Sequence, residues 1–155
     1  MRWGAKVFYE DFKVGDRFVT PSRTVTEADI KGFAELSGDL HYLHIDEEEA
    51  RKTIFGGRIA HGMLVISIVT GLWYRLGIFR ESIIAFYGID RLRFTHPVRP
   101  GDTIKAVLTV TDKKEKELGG LVDFRNEVLN QDNRLVAVFD AKLLVKYRGR
   151  GRGRA

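Results

Sequence analysis

The sequence predicts an α+β domain in which an antiparallel sheet wraps one buried helix. Two observations predict it. The segment HGMLVISIVTGLWY, starting at His61, is apolar on nearly every face at helical spacing, the mark of a buried helix. From Ile83 onward, four stretches rich in β-branched and aromatic residues follow one another, over 83–98, 103–116, 121–131 and 135–148. Only turn signals separate them: Arg99-Pro100-Gly101-Asp102, Gly119-Gly120 and Gln131-Asp132-Asn133. Long strands in immediate succession pair antiparallel. One buried helix beside them is an α+β arrangement.

Each earlier element has its own signal. FKVGDRFVTPSRTV alternates loosely and predicts a turn at Gly15-Asp16, then a short edge strand over 17–25 that contains Pro21. Thr26, followed by Glu27 and Asp29, starts a helix: the hydroxyl accepts from a free backbone N–H, and the acids sit in the positive first turn. Ile30, Phe33, Ala34 and Leu36 continue at helical spacing, and Gly38 supplies a left-handed end. EEEARKT is one further helical turn, Gly56-Gly57 is a loop, and the buried helix begins at His61 or Gly62.

The 155 residues suit one domain, 1–147, followed by a disordered Arg/Gly tail, 148–155. With 44% hydrophobic and 30% charged residues, the chain can bury a core under a charged surface. There is no cysteine, which excludes disulfides and thiolate metal ligands. The N-terminus carries no apolar signal-peptide core, and the longest apolar run, about twelve residues, is too short to span a bilayer. The expectation is a cytoplasmic protein with no membrane partner. Of the net charge of +5, the tail arginines 148, 150, 152 and 154 supply +4. The basic balance therefore belongs to the tail. A solubilising end is the simpler reading of it than a nucleic-acid contact.

Chemistry concentrates in SGDLHYLHIDEEEA, residues 37–50, which holds two of the four histidines. Three readings apply. Asp39, His41 and His44 form a ligand set for a catalytic metal, with His61 or His96 able to serve as a distant ligand, but positions three apart converge only if the segment is helical. Asp39 and His44 form an acid–base pair, five apart across a helix break, able to face one cavity and polarise a water. The plainest reading is a helix end with polar decoration. A second motif follows, RIAHGM, over 58–63. Gly62 stands at the N-terminus of the buried helix, where backbone N–H groups lack intrahelical partners. Without a Cβ it lets a carbonyl oxygen approach, as in an oxyanion hole; alternatively it only lets the helix enter between strands. His61 itself reads as a capping or structural residue.

Taken together, FAELSGDLHYLHIDEEEA, GGRIAHGMLVISIVTGL and RLRFTHPVRPGDTI resemble the MaoC-like, (R)-specific enoyl-CoA hydratases of the hot-dog fold. That family carries Ser-Gly-Asp-x-Asn-Pro-x-His, then His-Gly-Met, then Phe-x-x-Pro-Val-x-x-Gly-Asp. The resemblance runs in order over residues 8–147. It implies that Asp39 and His44 hold the water added across the 2,3 double bond of a trans-2-enoyl-CoA, giving an (R)-3-hydroxyacyl-CoA. It implies that the Gly62 N–H binds the thioester carbonyl and that Thr70 falls near the pair. No metal and no redox cofactor are implied, coenzyme A being part of the substrate. Such proteins resemble obligate homodimers. Arg91 and Arg93 are candidates for the coenzyme phosphates and equally fit a solvent-facing strand. One departure stands out: His41-Tyr42 replaces the family's Asn-Pro. His41 then takes the hydrogen-bonding role of Asn, and Tyr42 narrows the acyl pocket. Two rivals remain, a hot-dog thioesterase and an acyl-CoA-binding regulator without turnover.

Overall fold

Local chemistry sets the first helix. The computed structural model describes residues 7–149. In it Thr26 Oγ1 accepts from the Asp29 N–H (3.1 Å), and the Asp29 carboxylate accepts from the Thr26 N–H (2.9 Å). This reciprocal cap contributes about 1 kcal/mol and begins α1, Glu27–Ser37. Gly38 ends it at φ 78°, donating to Ala34 O, a conformation that favours glycine. Ile30 and Ala34 face the core, whereas Leu36 is 85% exposed. Leu36 lies two positions past Ala34, on the opposite side of the helix.

Two short helices follow, α2 (Tyr42–Ile45) and α3 (Glu47–Arg51). The long helix α4, Gly62–Leu76, ends at Gly77 with φ 80°. Its Val65, Val69 and Leu72 join Phe124, Val128, Phe139 and Ala141 of the sheet in one core. The expectation of burial on every face is not met: at helical spacing Met63 (53%), Ser67, Gly71 and Tyr74 (62%) form an exposed stripe along one side of α4, while the other faces are buried. Trp73 ties the helix down: its Nε1–H donates to the Oδ1 of the fully buried Asn126 at 2.8 Å.

Among the described residues the sheet has six strands. They are β1 (Arg17–Val19), β2 (Arg23–Thr24), β3 (Ile83–Phe94), β4 (Thr103–Glu115), β5 (Gly120–Leu129) and β6 (Leu135–Val145). The order is β1-β4-β5-β6-β3, with β2 also on β4. All the pairings are antiparallel. The edge strand expected over 17–25 is broken into β1 and β2 around Pro21, which has no N–H for a ladder. β6 is buried along nearly its whole length, while the edge strand β3 is largely exposed. Its register with β6 shifts between Asp90 and Arg93, where Arg91 takes φ 53°. The Arg91 guanidinium lies 2.6 Å from the buried Asp140 carboxylate, which holds that bulge. Arg93 donates to the neighbouring Leu92 carbonyl.

The first six residues of the domain expected over 1–147, and 150–155 of the expected tail, lie outside the described residues. Arg148, within them, donates its backbone N–H to Glu10 and pairs with Asp11. No helix among the described residues is long and apolar enough to cross a membrane.

Candidate active site

The break after α1 is a built turn. Ser37 Oγ donates to Phe33 O (2.7 Å) and accepts from the Asp39 N–H (3.2 Å). The Asp39 backbone is thereby fixed while its side chain stays 54% exposed. His41 then caps α2, its Nδ1 accepting from the Leu43 N–H at 3.2 Å. This single turn brings His44 back beside Asp39. His44 Nδ1 lies 2.8 Å from Ile59 O; a carbonyl only accepts, so Nδ1 carries the proton and Nε2 presents its lone pair. The Ile59 N–H answers by donating to Leu43 O at 3.1 Å.

His44 Nε2 and Asp39 Oδ2 are 4.0 Å apart. That is too far for a direct hydrogen bond and suits two groups that share one water. The His44 side chain is only 12% exposed. Burial, foremost, pushes its pKa below the ordinary value; the Ile59 carbonyl and Asp39 oppose this, and His61 and His41 reinforce it. The imidazole is therefore neutral near pH 7.

Asp39, His44, His61 and Gly62 line one cavity of about 560 Å³, with Phe33, Phe94 and Val136 among its apolar walls. Gly62 is the first residue of α4, so its N–H is among those without an intrahelical partner. The structure thus brings together three of the residues singled out above: Asp39, His44 and Gly62. It does not bring the other three to this cavity. His41 is spent on capping α2 and stacks on Tyr42 at 4.1 Å, and Tyr42 is 46% exposed. Thr70, two turns along α4, donates to Ser67 O at 2.7 Å.

The ligand set Asp39, His41 and His44 does not assemble either; the two rings are 6.3 Å apart. His61 instead joins Asp39 and His44, with one possible ligand atom from each lying within 4.8 Å of the others. The His44 and His61 rings stack at 3.7 Å and 23°. An ion in the plane of one ring would lie well out of the plane of the other, whereas a ring nitrogen binds along its in-plane lone pair. The geometry suits proton transfer better than a metal.

Two features were not legible in the sequence. Arg58 donates both Nη groups to Glu27 (2.7 and 2.6 Å) and Nε to Glu47 (3.0 Å). It ties α1 and α3 to the loop that carries Ile59. Its bonds hold Glu27 below the usual carboxylate range. A second hollow, of about 350 Å³, lies beside α1; it shares His44 with the first cavity and is also lined by Arg58. Tandem charged residues would be the only sequence signal for the clamp, since its partners are 31 and 11 residues away.

A carboxylate and an imidazole at one cavity, with a helix N-terminus at its wall, form an arrangement that can transfer protons beside a polarised carbonyl. The chain belongs to the MaoC-like hydratase/dehydratase family: residues 11–131 match the MaoC like domain. It is 47% identical over 109 residues to Protein MaoC of Klebsiella aerogenes, a stretch covering 70% of this chain and 32% of that protein. The chain thus spans about a third of that relative. It is 39% identical over 104 residues to the (R)-specific enoyl-CoA hydratase of Rhodospirillum rubrum, covering 67% of this chain and 69% of that one. The fold matches the monoamine oxidase regulatory protein from Archaeoglobus fulgidus with a TM-score of 0.84 at 41% identity, over 92% and 96% of the two chains. The architecture is the hot-dog fold, shared at a TM-score of 0.78 with a double hot-dog protein of Mycobacterium tuberculosis that is only 20% identical, over 96% of this chain and 47% of that one.

Proposed function

We propose that the protein hydrates a trans-2-enoyl-CoA to an (R)-3-hydroxyacyl-CoA, and runs the reverse dehydration. The observation that carries this reading is the 4.0 Å gap between Asp39 Oδ2 and the free Nε2 of His44, in the cavity that Gly62 also lines. A water held by both groups loses one proton to the pair. Its hydroxyl adds to C3, the pair returns one proton to C2, and the net protonation of the enzyme is unchanged. The thioester oxygen accepts from the Gly62 N–H as negative charge builds on it. The names of relatives point the same way, one being an (R)-specific enoyl-CoA hydratase and another a 3-hydroxybutyryl-CoA dehydratase. No metal or redox cofactor enters this chemistry.

The test is loss of the enoyl-thioester absorbance with crotonyl-CoA and longer enoyl-CoAs. We expect turnover in the wild type and a loss of roughly 10²–10⁴-fold in Asp39→Asn, with the fold intact because that side chain is half exposed. Full turnover in Asp39→Asn would sink the assignment. Release of free thiol from a saturated acyl-CoA would make it a thioesterase instead. A second reading, acyl-CoA binding without turnover, is favoured by His41, which is spent on capping α2 rather than lining the cavity. Binding of acyl-CoAs with no loss of the enoyl band would select it.

We also propose a homodimer through β3, which pairs with β6 alone among the described strands. Ile84, Phe86 and Tyr87 on it are 42%, 43% and 67% exposed, and such an edge is normally covered. Sedimentation at the monomer mass would overturn this.

A further inference from the structure

His61 is a buried titratable side chain for which the chemistry above has no use. It is 3% exposed. It begins α4 as the N-cap residue, yet its side chain makes no capping bond. Its Nδ1 is buried with no partner. An unpaired buried nitrogen is unfavourable, and an apolar ring would fill the same space without that cost. A purely structural role therefore leaves the imidazole unexplained.

Its contacts with the acid–base pair explain it. Nε2 lies 3.0 Å from the backbone oxygen of Asp39; the carbonyl only accepts, so Nε2 is the protonated nitrogen. The ring face packs on His44 with centroids 3.7 Å apart, and the Phe33 ring meets it edge-on at 5.0 Å. One side chain thus touches both members of the acid–base pair, on the backbone of one and the ring of the other. We propose that His61 is a positioning residue that pins Asp39 through its main chain and fixes the plane of the His44 imidazole, holding the two at water-sharing distance. What the pair does rests on the hydratase reading; that His61 positions it does not.

Two variants of the full chain separate the roles. His61→Phe keeps a ring against His44 and loses the donor to Asp39. His61→Gln keeps a donor and loses the ring. We expect kcat of His61→Phe to fall by about tenfold or more with KM little changed. We expect His61→Gln to regain part of kcat. Unchanged kcat in folded His61→Phe would overturn the proposal. Ring-nitrogen NMR of the wild type is independent of folding in the variants and of turnover. It should show the Nε2–H tautomer for His61 and the Nδ1–H tautomer for His44. The opposite tautomer at His61 would also overturn it. Failure of every enoyl-CoA as substrate of the wild type would instead count against the hydratase reading, leaving the tautomers to decide on His61.

Discussion

The tip of the Phe94 ring stands where residue 62 would carry a side chain. A methyl group on Gly62 would lie 2.6 Å from Phe94 Cζ and 2.8 Å from each Cε, well inside carbon–carbon contact distance. Phe94 comes from the end of β3 and Gly62 opens α4, so this contact joins the sheet edge to the helix terminus. The need for glycine here comes first from Phe94, whatever ligand also approaches. We expect Gly62→Ala to push the half-exposed Phe94 ring aside at a cost of up to about 1 kcal/mol, and to lower turnover. Adding Phe94→Ala should restore part of the melting temperature. A Gly62→Ala protein that melts like the wild type would show that Phe94 moves aside freely.

Arg58 acts on the site through Ile59, its neighbour in sequence. Arg58→Ala removes the clamp on Glu27 and Glu47 and frees the loop whose carbonyl sets the His44 tautomer. Small displacements of a reacting group are costly, so kcat should fall by roughly 10–100-fold. Steady-state kinetics with an enoyl-CoA check this. Arg58→Lys, with one point charge for three directed donors, should recover only part of the rate.

Acid should weaken the fold through His44. Its pKa is lowered in the folded state by burial from the ordinary 6.5, so the unfolded chain binds the proton more readily. Stability from this group is complete above about pH 6.5 and is lost progressively as pH falls toward the folded value. His44→Gln should flatten that part of the curve of melting temperature against pH. Parallel curves for the two proteins would contradict it.

Trp73→Phe should destabilise without touching the cavity. It leaves the Oδ1 of fully buried Asn126 without its donor, which costs about 1–3 kcal/mol. Denaturant unfolding would measure it. Turnover per folded molecule should stay near that of the wild type.

Much of the fold is legible wherever its cause is local. Thr26, Asp29 and Gly38 carry the capping chemistry of α1 in their own side chains, and four long β-rich stretches with turns between them leave little but an antiparallel sheet. α2 was not legible. Four residues show no periodicity, and their helical state depends on the His41 cap and on Ile59, which lies 15 positions from His44. The same holds for the site. Asp39, His44 and Gly62 meet in space as the sequence reading expected, but proximity in sequence placed His41 and Tyr42 nearby and the family resemblance placed Thr70 there, and capping and helix phase turned them elsewhere. His61 read as a cap because its partners, Asp39 O and the face of His44, are visible only in three dimensions.

The shortness of α2 has a consequence for how the protein fails. A helix of four residues, Tyr42–Ile45, has no stability of its own, since nucleating one turn is unfavourable without packing. The imidazole is thus delivered by a segment that exists only while its neighbours dock against it. Such segments open with a smaller free energy than the whole molecule. In mild urea, catalysis should vanish while the far-ultraviolet circular dichroism of the sheet and α4 is still native, and the amides of 42–46 should exchange with solvent ahead of those in β5 and β6. Inactivation and denaturation are then two separate events, with the first reversible on dilution.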